Sequence, residues 1–222
     1  MVTSKAAIAD GPGPGLRELH KSRRRGRILD ASRELIRSSS IDQVSIDQIA
    51  AVADVAPATV YNLLGPRAAI WAALIDDVLD ELDERLTRLA GDDPVAMARA
   101  VITESVQLFA ADPEVHRQAL LHLRAEPEGG RALRHNPVEL QIEAMRGAIH
   151  AGLLERTLTP EQLGRQIFAS YNGALYFWAA RGLSEREFER LALHGLYTVL
   201  AAAATDATRA LFISKLRTLG GA

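Results

Sequence analysis

Basic side chains are concentrated near one end of this 222-residue chain. Residues 16–37 carry eight Lys and Arg against three Asp and Glu, and four of the arginines lie together at Arg23, Arg24, Arg25 and Arg27. Blocks of like charge often act as interaction segments, so this block suggests an anionic partner. A solvated surface run without a partner is the alternative that charge alone leaves open.

The total charge hides this asymmetry. The whole chain has a formal net charge of −2, which by itself argues weakly against nucleic-acid binding. Residues 1–67 carry 10 Lys and Arg against 7 Asp and Glu, whereas residues 68–222 carry 16 against 21. The chain is therefore a basic head of net charge +3 on an acidic body of net charge −5, and the head is the end that suits an anionic partner.

The other reactive residues form no catalytic or metal-binding pattern. His116 and His122 are six positions apart, so they do not share a helix face as ligands at i and i+4 would. No HExxH, phosphate-loop or nucleophile-elbow motif occurs. The chain has no cysteine, which excludes disulfides, thiolate zinc sites and a cysteine nucleophile. We therefore expect no enzyme and no cofactor.

The composition, with 48% apolar and 24% charged residues, is that of an ordinary soluble protein with a substantial core. No apolar run approaches the roughly 18–20 residues of a membrane helix, and the first residues lack the apolar stretch of a signal peptide. We expect a cytoplasmic protein that does not contact a membrane.

Apolar periodicity predicts an all-α fold of about nine or ten helices. Apolar positions recur at i, i+3 and i+4 along most of the chain, and no segment alternates as a strand would. Ser45, Thr159 and Ser184 each precede a Gln or Glu by three residues, which marks three helix starts. The predicted helices cover about 16–38, 46–52, 57–63, 70–89, 94–111, 113–124, 132–152, 160–181, 185–204 and 206–218.

Two very short helices in a row, 46–52 and 57–63, are unusual because helices of this length need tertiary packing to survive. The joint Ala53-Asp54-Val55 turns the chain between them. This arrangement predicts a helix-turn-helix, whose second helix enters the major groove of DNA. The predicted inward positions are Ile46, Ile49, Ala50, Val55, Val60 and Leu63.

The sequence around these helices resembles the TetR family of transcriptional regulators, over about residues 22–75. The resemblance implies a three-helix DNA-binding head and a helical body that binds an effector and dimerises. The matching residues are Arg27-Ile28-Leu29-Asp30-Ala31, Ile49-Ala50, Asp54-Val55, Thr59-Val60-Tyr61, Leu64 and Arg67.

Three departures from the family pattern lie in the head. Asp54 replaces the usual Gly of the turn, and Asp tolerates the left-handed backbone that the turn needs. Ala56 replaces a capping Ser, for which Pro57 at the first helical position compensates in part. Residues 64–67, Leu-Gly-Pro-Arg, replace an aromatic, a Ser and a Lys, so the charge is retained and the aromatic packing is not.

The resemblance also implies roles in DNA binding, where phosphate contacts position the protein and base contacts select the sequence. The phosphate candidates are Ser45, Thr59, Tyr61 and Arg67 by resemblance, and Arg24, Arg25 and Arg27 by charge. The base-edge candidates are Pro57, Ala58 and Asn62, since Asn can pair with adenine and small apolar side chains can meet a thymine methyl. The alternatives are a core aromatic for Tyr61, a solvated helix end for Asn62 and a mobile arm for the arginines.

For the body, the resemblance implies an effector pocket among the helices of residues 94–180. Pockets are mostly apolar with a few convergent polar groups, and each aromatic candidate taken alone is better explained by core packing. The candidate lining residues are Phe109, His116, His122, Arg124, Tyr171, Asn172, Tyr176, Phe177 and Trp178.

We therefore predict a flexible leader at 1–15, a DNA-binding head at 16–67 and an effector-binding and dimerisation body at 68–222. The helices 160–181 and 185–204 are expected to form a C₂ homodimer that reads a pseudo-palindromic operator in double-stranded DNA. The leading hypothesis is a repressor that responds to a small molecule. The alternatives are a ligand-independent activator or architectural factor and, more distantly, a helical enzyme or carrier.

Overall fold

A computed structural model of the chain describes residues 15–89, 91, 93–125 and 137–220. Across these ranges the chain forms ten α-helices, one 3₁₀ helix at Ile41–Gln43 and a single isolated bridge between Leu154 and Ala204, so the all-α prediction is confirmed. The helices are α1 Leu16–Ser38, α2 Ile46–Val52, α3 Pro57–Leu64, α4 Arg67–Leu89, α5 Pro94–Ala111, α6 Pro113–Ala125, α7 Pro137–His150, α8 Pro160–Arg181, α9 Glu185–Ala203 and α10 Asp206–Gly220.

The predicted helix boundaries agree closely with the structure because local capping groups set them. Ser45, Thr159 and Ser184 each form the predicted capping box at the start of α2, α8 and α9. The described residues include only Gly15 of the predicted leader at 1–15. They also leave out the first positions of the predicted helix at 132–152. The 3₁₀ helix was not predicted; it buries Ile41 between α1 and α2.

Helices α1 to α3 pack against one another as a head, and α4 joins the head to the body. The buried stripe of α4 runs from Ala69 to Leu86, as its periodicity predicts. This helix contacts α1 and α3 on the head side and α5 and α6 on the body side. In the body, α7, α8, α9 and α10 pack in succession, and α5 packs against α4, α7 and α9. No described helix combines the length and the apolar character needed to cross a membrane.

Two glycines permit close helix contacts inside the body. A Cβ at Gly164 of α8 would lie 2.7 Å from the backbone nitrogen of Ile142 of α7. A Cβ at Gly195 of α9 would lie 2.6 Å from the Cβ of Ser170 of α8. These two small residues therefore serve helix packing within one chain.

Candidate functional site

The joint between α2 and α3 has the geometry of a helix-turn-helix. The backbone N–H of Ala53 donates to the carbonyl of Ile49 (2.9 Å), and that of Val55 donates to the carbonyl of Ala50 (3.0 Å). Asp54 has a φ of 53°, the left-handed conformation that its position in the turn requires. The substitution of Asp for Gly is therefore accommodated in the fold.

Helix α3 presents one face to solvent and packs the other against the head. Pro57, Ala58, Tyr61 and Asn62 are exposed, and 55% of the Tyr61 surface is accessible. The alternative of a core aromatic at Tyr61 is thereby removed. Thr59 is half-buried at the side of the helix.

The inward face of α3 differs slightly from the prediction. Val60 and Leu64 are the buried residues, four positions apart, while Leu63 is half-buried at the side. The helix extends one residue further than predicted and ends at Gly65, which has a φ of 95°. Leu64, at the position of the family's aromatic residue, therefore fills that place in the core.

Ser45 lies at the N-terminus of α2 with its hydroxyl oxygen occupied by the capping box. It accepts from the backbone N–H of Gln48 (3.2 Å), and the Gln48 Oε1 accepts from the backbone N–H of Ser45 (2.8 Å). The hydroxyl proton is not used in this pair. Ser45 is exposed, so this proton can be donated to a phosphate outside the protein.

The predicted phosphate-binding arginines fall into two groups. Arg24 and Arg27 are exposed on α1. Arg25 instead bonds Asp77 of α4 (3.1 Å), which also receives a bond from Arg33 (2.7 Å), so it fastens α1 to α4. This ion pair holds the Arg25 side chain against α4, and the one Asp77 carboxylate offsets only one of the two arginine charges.

Arg67 is also engaged inside the head. One of its terminal nitrogens donates to the backbone carbonyls of Asp42 (3.0 Å) and Val44 (3.2 Å). These carbonyls belong to the segment that leads into α2. The side chain therefore positions the N-terminus of α2.

The body contains a cavity of about 200 Å³ between α4, α5, α6, α7 and α8. Its apolar walls include Ile75, Leu79 and Leu82 from α4 and Leu120 and Leu123 from α6. Cavities that bind apolar ligands are usually mostly apolar with a few polar groups, and this one has that character.

The polar groups of the cavity come from α5, α7 and α8. They are Ser105, Gln141, Tyr171 and Asn172, and Phe109 lies beside them. Burial raises the pKa of Tyr171 above its usual value, so the phenol is neutral at physiological pH. The structure thus brings three of the predicted lining residues together at one cavity.

Five other predicted lining residues lie elsewhere, and the prediction is corrected for them. Trp178 is buried in the core against Phe188, at 5.5 Å between ring centroids. Tyr176 and Phe177 are more than 40% exposed. Successive residues of a helix point about 100° apart, so Phe177 points away from the face that residues 171, 172 and 175 share, and Tyr176 lies beyond the edge of that face, next to 172. The remaining two of the five are His116 and His122.

Neither histidine lines the cavity. His122 has its Nδ1 3.7 Å from the Asp42 carboxylate and its ring edge-on to Trp71. His116 is buried, and its Nδ1–H donates to the carbonyl of Phe109 (2.9 Å). Arg124 belongs to α6, and its side chain is outside the described part of the chain.

His116 leads to a pH prediction. Burial lowers the pKa of His116 below its ordinary value of 6.5. Below that pH the unfolded chain takes up the proton and the folded chain does not. The free energy of unfolding should therefore be complete above pH 6.5 and fall below it, by at most about 1.4 kcal/mol per pH unit for this group. Urea unfolding at several pH values measures it.

The His116→Gln variant should lose this part of the pH dependence, since glutamine keeps an N–H donor and does not titrate. Val115→Ala is the matched control, because it removes buried volume at the neighbouring position. It should lower stability by the same amount at every pH. Parallel curves for the wild type and His116→Gln would contradict the prediction.

Gln141 and Phe168 are cavity residues that the sequence prediction missed. Phe168 lies three positions before Tyr171, so helical periodicity could have found it. Gln141 lies on the same face as the buried Met145 and Ala148, at i+4 and i+7. A single amide on an otherwise apolar face is the signal that could have identified it.

The chain fold matches many solved structures. A TetR transcription regulator from Haloarcula marismortui matches with a TM-score of 0.68 and 18% identity, over 83% of this chain and 100% of that chain. SmeT, the repressor of the Stenotrophomonas maltophilia multidrug efflux pump SmeDEF, matches with a TM-score of 0.62 and 22% identity, over 83% and 92%. A SmeT–triclosan complex matches with a TM-score of 0.60 and 19% identity, over 84% and 94%.

The sequence alone matches no family model and no curated protein. In the described residues no group of three or more His, Asp or Glu side chains could hold a metal ion. The similarity is therefore one of fold, and it covers the head and the body together. This chain has the fold of TetR-family transcriptional regulators.

Proposed function

We propose that the protein is a cytoplasmic transcriptional repressor that binds operator DNA as a homodimer and releases it when a small molecule enters the body. The head, residues 16–67, is the proposed DNA reader, and residues 68–222 are the proposed effector-binding and dimerisation body. The observation that carries the proposal is the exposed face of α3, with Tyr61 and Asn62 open to solvent beside a basic α1.

The exposed groups divide into two kinds of contact. Asn62, Pro57 and Ala58 are the proposed base contacts, since they occupy the outward face of the recognition helix. Arg24 and Arg27 are the proposed phosphate contacts on α1. The other proposed phosphate contacts are the hydroxyl groups of Ser45, Thr59 and Tyr61.

Arg25 and Arg67 have a different proposed role. The Arg25 guanidinium holds α1 against α4. The Arg67 guanidinium holds the 41–44 segment against the start of α4. Each would therefore position the DNA-binding surface. Any phosphate contact of Arg67 would come from the guanidinium nitrogens that do not bond the Asp42 and Val44 carbonyls.

Helix α6 connects the cavity to the head, so it could transmit the effect of ligand binding to the DNA-binding surface. Leu120 and Leu123 line the cavity, while Gln118 accepts a bond from the backbone N–H of Ile41 (2.8 Å). His122, next to Leu123, lies 3.7 Å from Asp42. A ligand that displaces α6 would therefore move the segment that leads into α2. Such coupling needs two states that the ligand and DNA favour differently.

The exposed faces of α8 and α9 support the proposed dimer. Tyr176 and Phe177 of α8 and Leu191 of α9 are each more than 40% exposed. Large apolar side chains on neighbouring helices are typical of a surface that a second subunit covers. A C₂ dimer would place two α3 helices about 34–36 Å apart, or a little more, which matches a pseudo-palindrome.

The salt dependence of DNA binding tests the proposal. The affinity of the wild type should fall steeply as salt rises, because each phosphate contact releases counterions. The double variant Arg24→Ala/Arg27→Ala removes four cations per dimer, so the slope of log K against log[salt] should become shallower by roughly 3–4. Fluorescence anisotropy with a duplex selected from random sequences measures the slope.

The matched control is Arg181→Ala/Arg217→Ala, which removes the same charge from exposed positions of the body. It should keep the wild-type slope. If both double variants change the slope equally, the basic segment of α1 does not contact phosphate. If the wild-type affinity is independent of salt, the DNA-binding function itself is wrong.

A further inference from the structure

The described residues that line the body cavity are all uncharged. Four helices contribute aliphatic or aromatic walls, and the polar lining residues in the described part of the chain are a serine, a glutamine, a tyrosine and an asparagine. Burying an ionised group without a partner of opposite charge is strongly unfavourable. The described lining therefore disfavours carboxylates, phosphates and ammonium groups.

Gln141 offers an acceptor in this uncharged lining. Its Nε2 donates to the carbonyl of Ala98 (3.1 Å), which fixes the orientation of the amide because a carbonyl oxygen can only accept. The Oε1 is then the other amide atom; it is buried and has no hydrogen-bond partner. A buried polar atom without a partner costs free energy that a suitable ligand group can recover.

Tyr171 also lines the cavity. Its hydroxyl is buried near that of Ser105, without a well-formed hydrogen bond. The Ser105 hydroxyl already donates to the carbonyl of Ile102 (2.9 Å). A neutral phenol can both donate and accept, so Tyr171 can meet either kind of ligand group.

The size of the cavity limits the ligand. A dry cavity of roughly 150 Å³ binds benzene, so a cavity of about 200 Å³ suits a single ring with a short substituent, about ten non-hydrogen atoms.

We infer that the cavity binds a small, uncharged, mostly apolar molecule that carries a hydroxyl group, and that the hydroxyl donates its proton to Oε1 of Gln141. The inference concerns the ligand class; the ligand's role as effector rests on the proposed function. Phenols with a short alkyl chain are the simplest members of this class.

Four probes of similar shape test the inference by calorimetry on the full chain. They are 4-propylphenol, its methyl ether, propylbenzene and 4-propylbenzoate. The phenol should bind about tenfold more tightly than the ether or the hydrocarbon, since only the phenol donates to Gln141. The benzoate should not bind at the same concentrations. Equal affinity of the phenol and the ether, tighter binding of the benzoate, or no binding of any probe would overturn the inference.

Variants assign the effect to Gln141. Gln141→Leu should bind the phenol and the ether equally, whereas Gln107→Leu, at an exposed position of α5, should keep the tenfold preference. If Gln141→Leu does not fold, the four-probe comparison on the wild type still decides. A DNA-binding assay separates the two proposals: a phenol that binds as described without weakening DNA binding supports the ligand class and contradicts the effector role.

Discussion

The Asn62→Ala variant is expected to bind its selected operator at least 30-fold more weakly than the wild type, with little change on unrelated duplex DNA. A bidentate pair between asparagine and adenine discriminates against other bases by about 1–3 kcal/mol. The proposed dimer carries Asn62 twice, so the low end of this range gives about 2 kcal/mol, which is about 30-fold. Titration of labelled operator and random-sequence duplex at one fixed salt concentration measures both affinities.

Tyr61→Phe is the matched control for this prediction. It removes the exposed hydroxyl proposed for phosphate contact and keeps the ring, so it should weaken binding to both duplexes by the same factor. Asn62 is exposed, and its replacement should change the free energy of unfolding by less than about 0.5 kcal/mol. An equal loss on operator and random DNA in the Asn62 variant would show that the residue does not read a base.

The Gly164→Ala variant is expected to lose about 1–3 kcal/mol of stability. The added Cβ would lie 2.7 Å from the nitrogen and 2.8 Å from the Cα of Ile142. These are backbone atoms of α7, so no side-chain rotation relieves the contact and the two helices must separate. For a chain of this length the melting temperature should fall by about 2–4 °C per kcal/mol, as thermal unfolding by circular dichroism will measure.

Gly26→Ala is the matched control, because the same methyl group added at Gly26 of α1 meets no atom within 4 Å. Alanine is the better helix former, so this variant should gain about 0.5–1 kcal/mol. If the two variants change stability in the same direction, close packing of α7 against α8 is not what Gly164 provides.

The separation of α7 from α8 would also affect the cavity. Gln141 precedes Ile142, and Tyr171 lies on α8 two turns after Gly164. The relative position of these two polar lining residues thus depends on the close contact between Gly164 and Ile142.

Local features of the sequence were sufficient for the helices. Capping boxes at Ser45, Thr159 and Ser184, and proline at the first position of α3, act over three or four residues. Signals of this range are complete in the sequence itself. The same holds for the left-handed turn at Asp54, since few residue types tolerate that conformation.

The candidate cavity could be predicted only in part. Phe109, Tyr171 and Asn172 were named from the sequence, but so were Tyr176, Phe177 and Trp178, which the structure places on the surface or in the core. Aromatic composition identifies a set of candidates. It does not show which face of α8 lines the cavity and which faces solvent.

The sequence by itself determined the all-helical pattern, the helix boundaries and the helix-turn-helix, together with the basic charge of residues 1–67 and the acidic charge of residues 68–222. Only the tertiary structure decided that Arg25 pairs with Asp77, that Arg67 holds the 41–44 segment and that the Oε1 of Gln141 is buried without a hydrogen-bond partner. The physical reason is range: periodicity and capping depend on neighbours within a turn, whereas these contacts depend on which surfaces of distant helices meet.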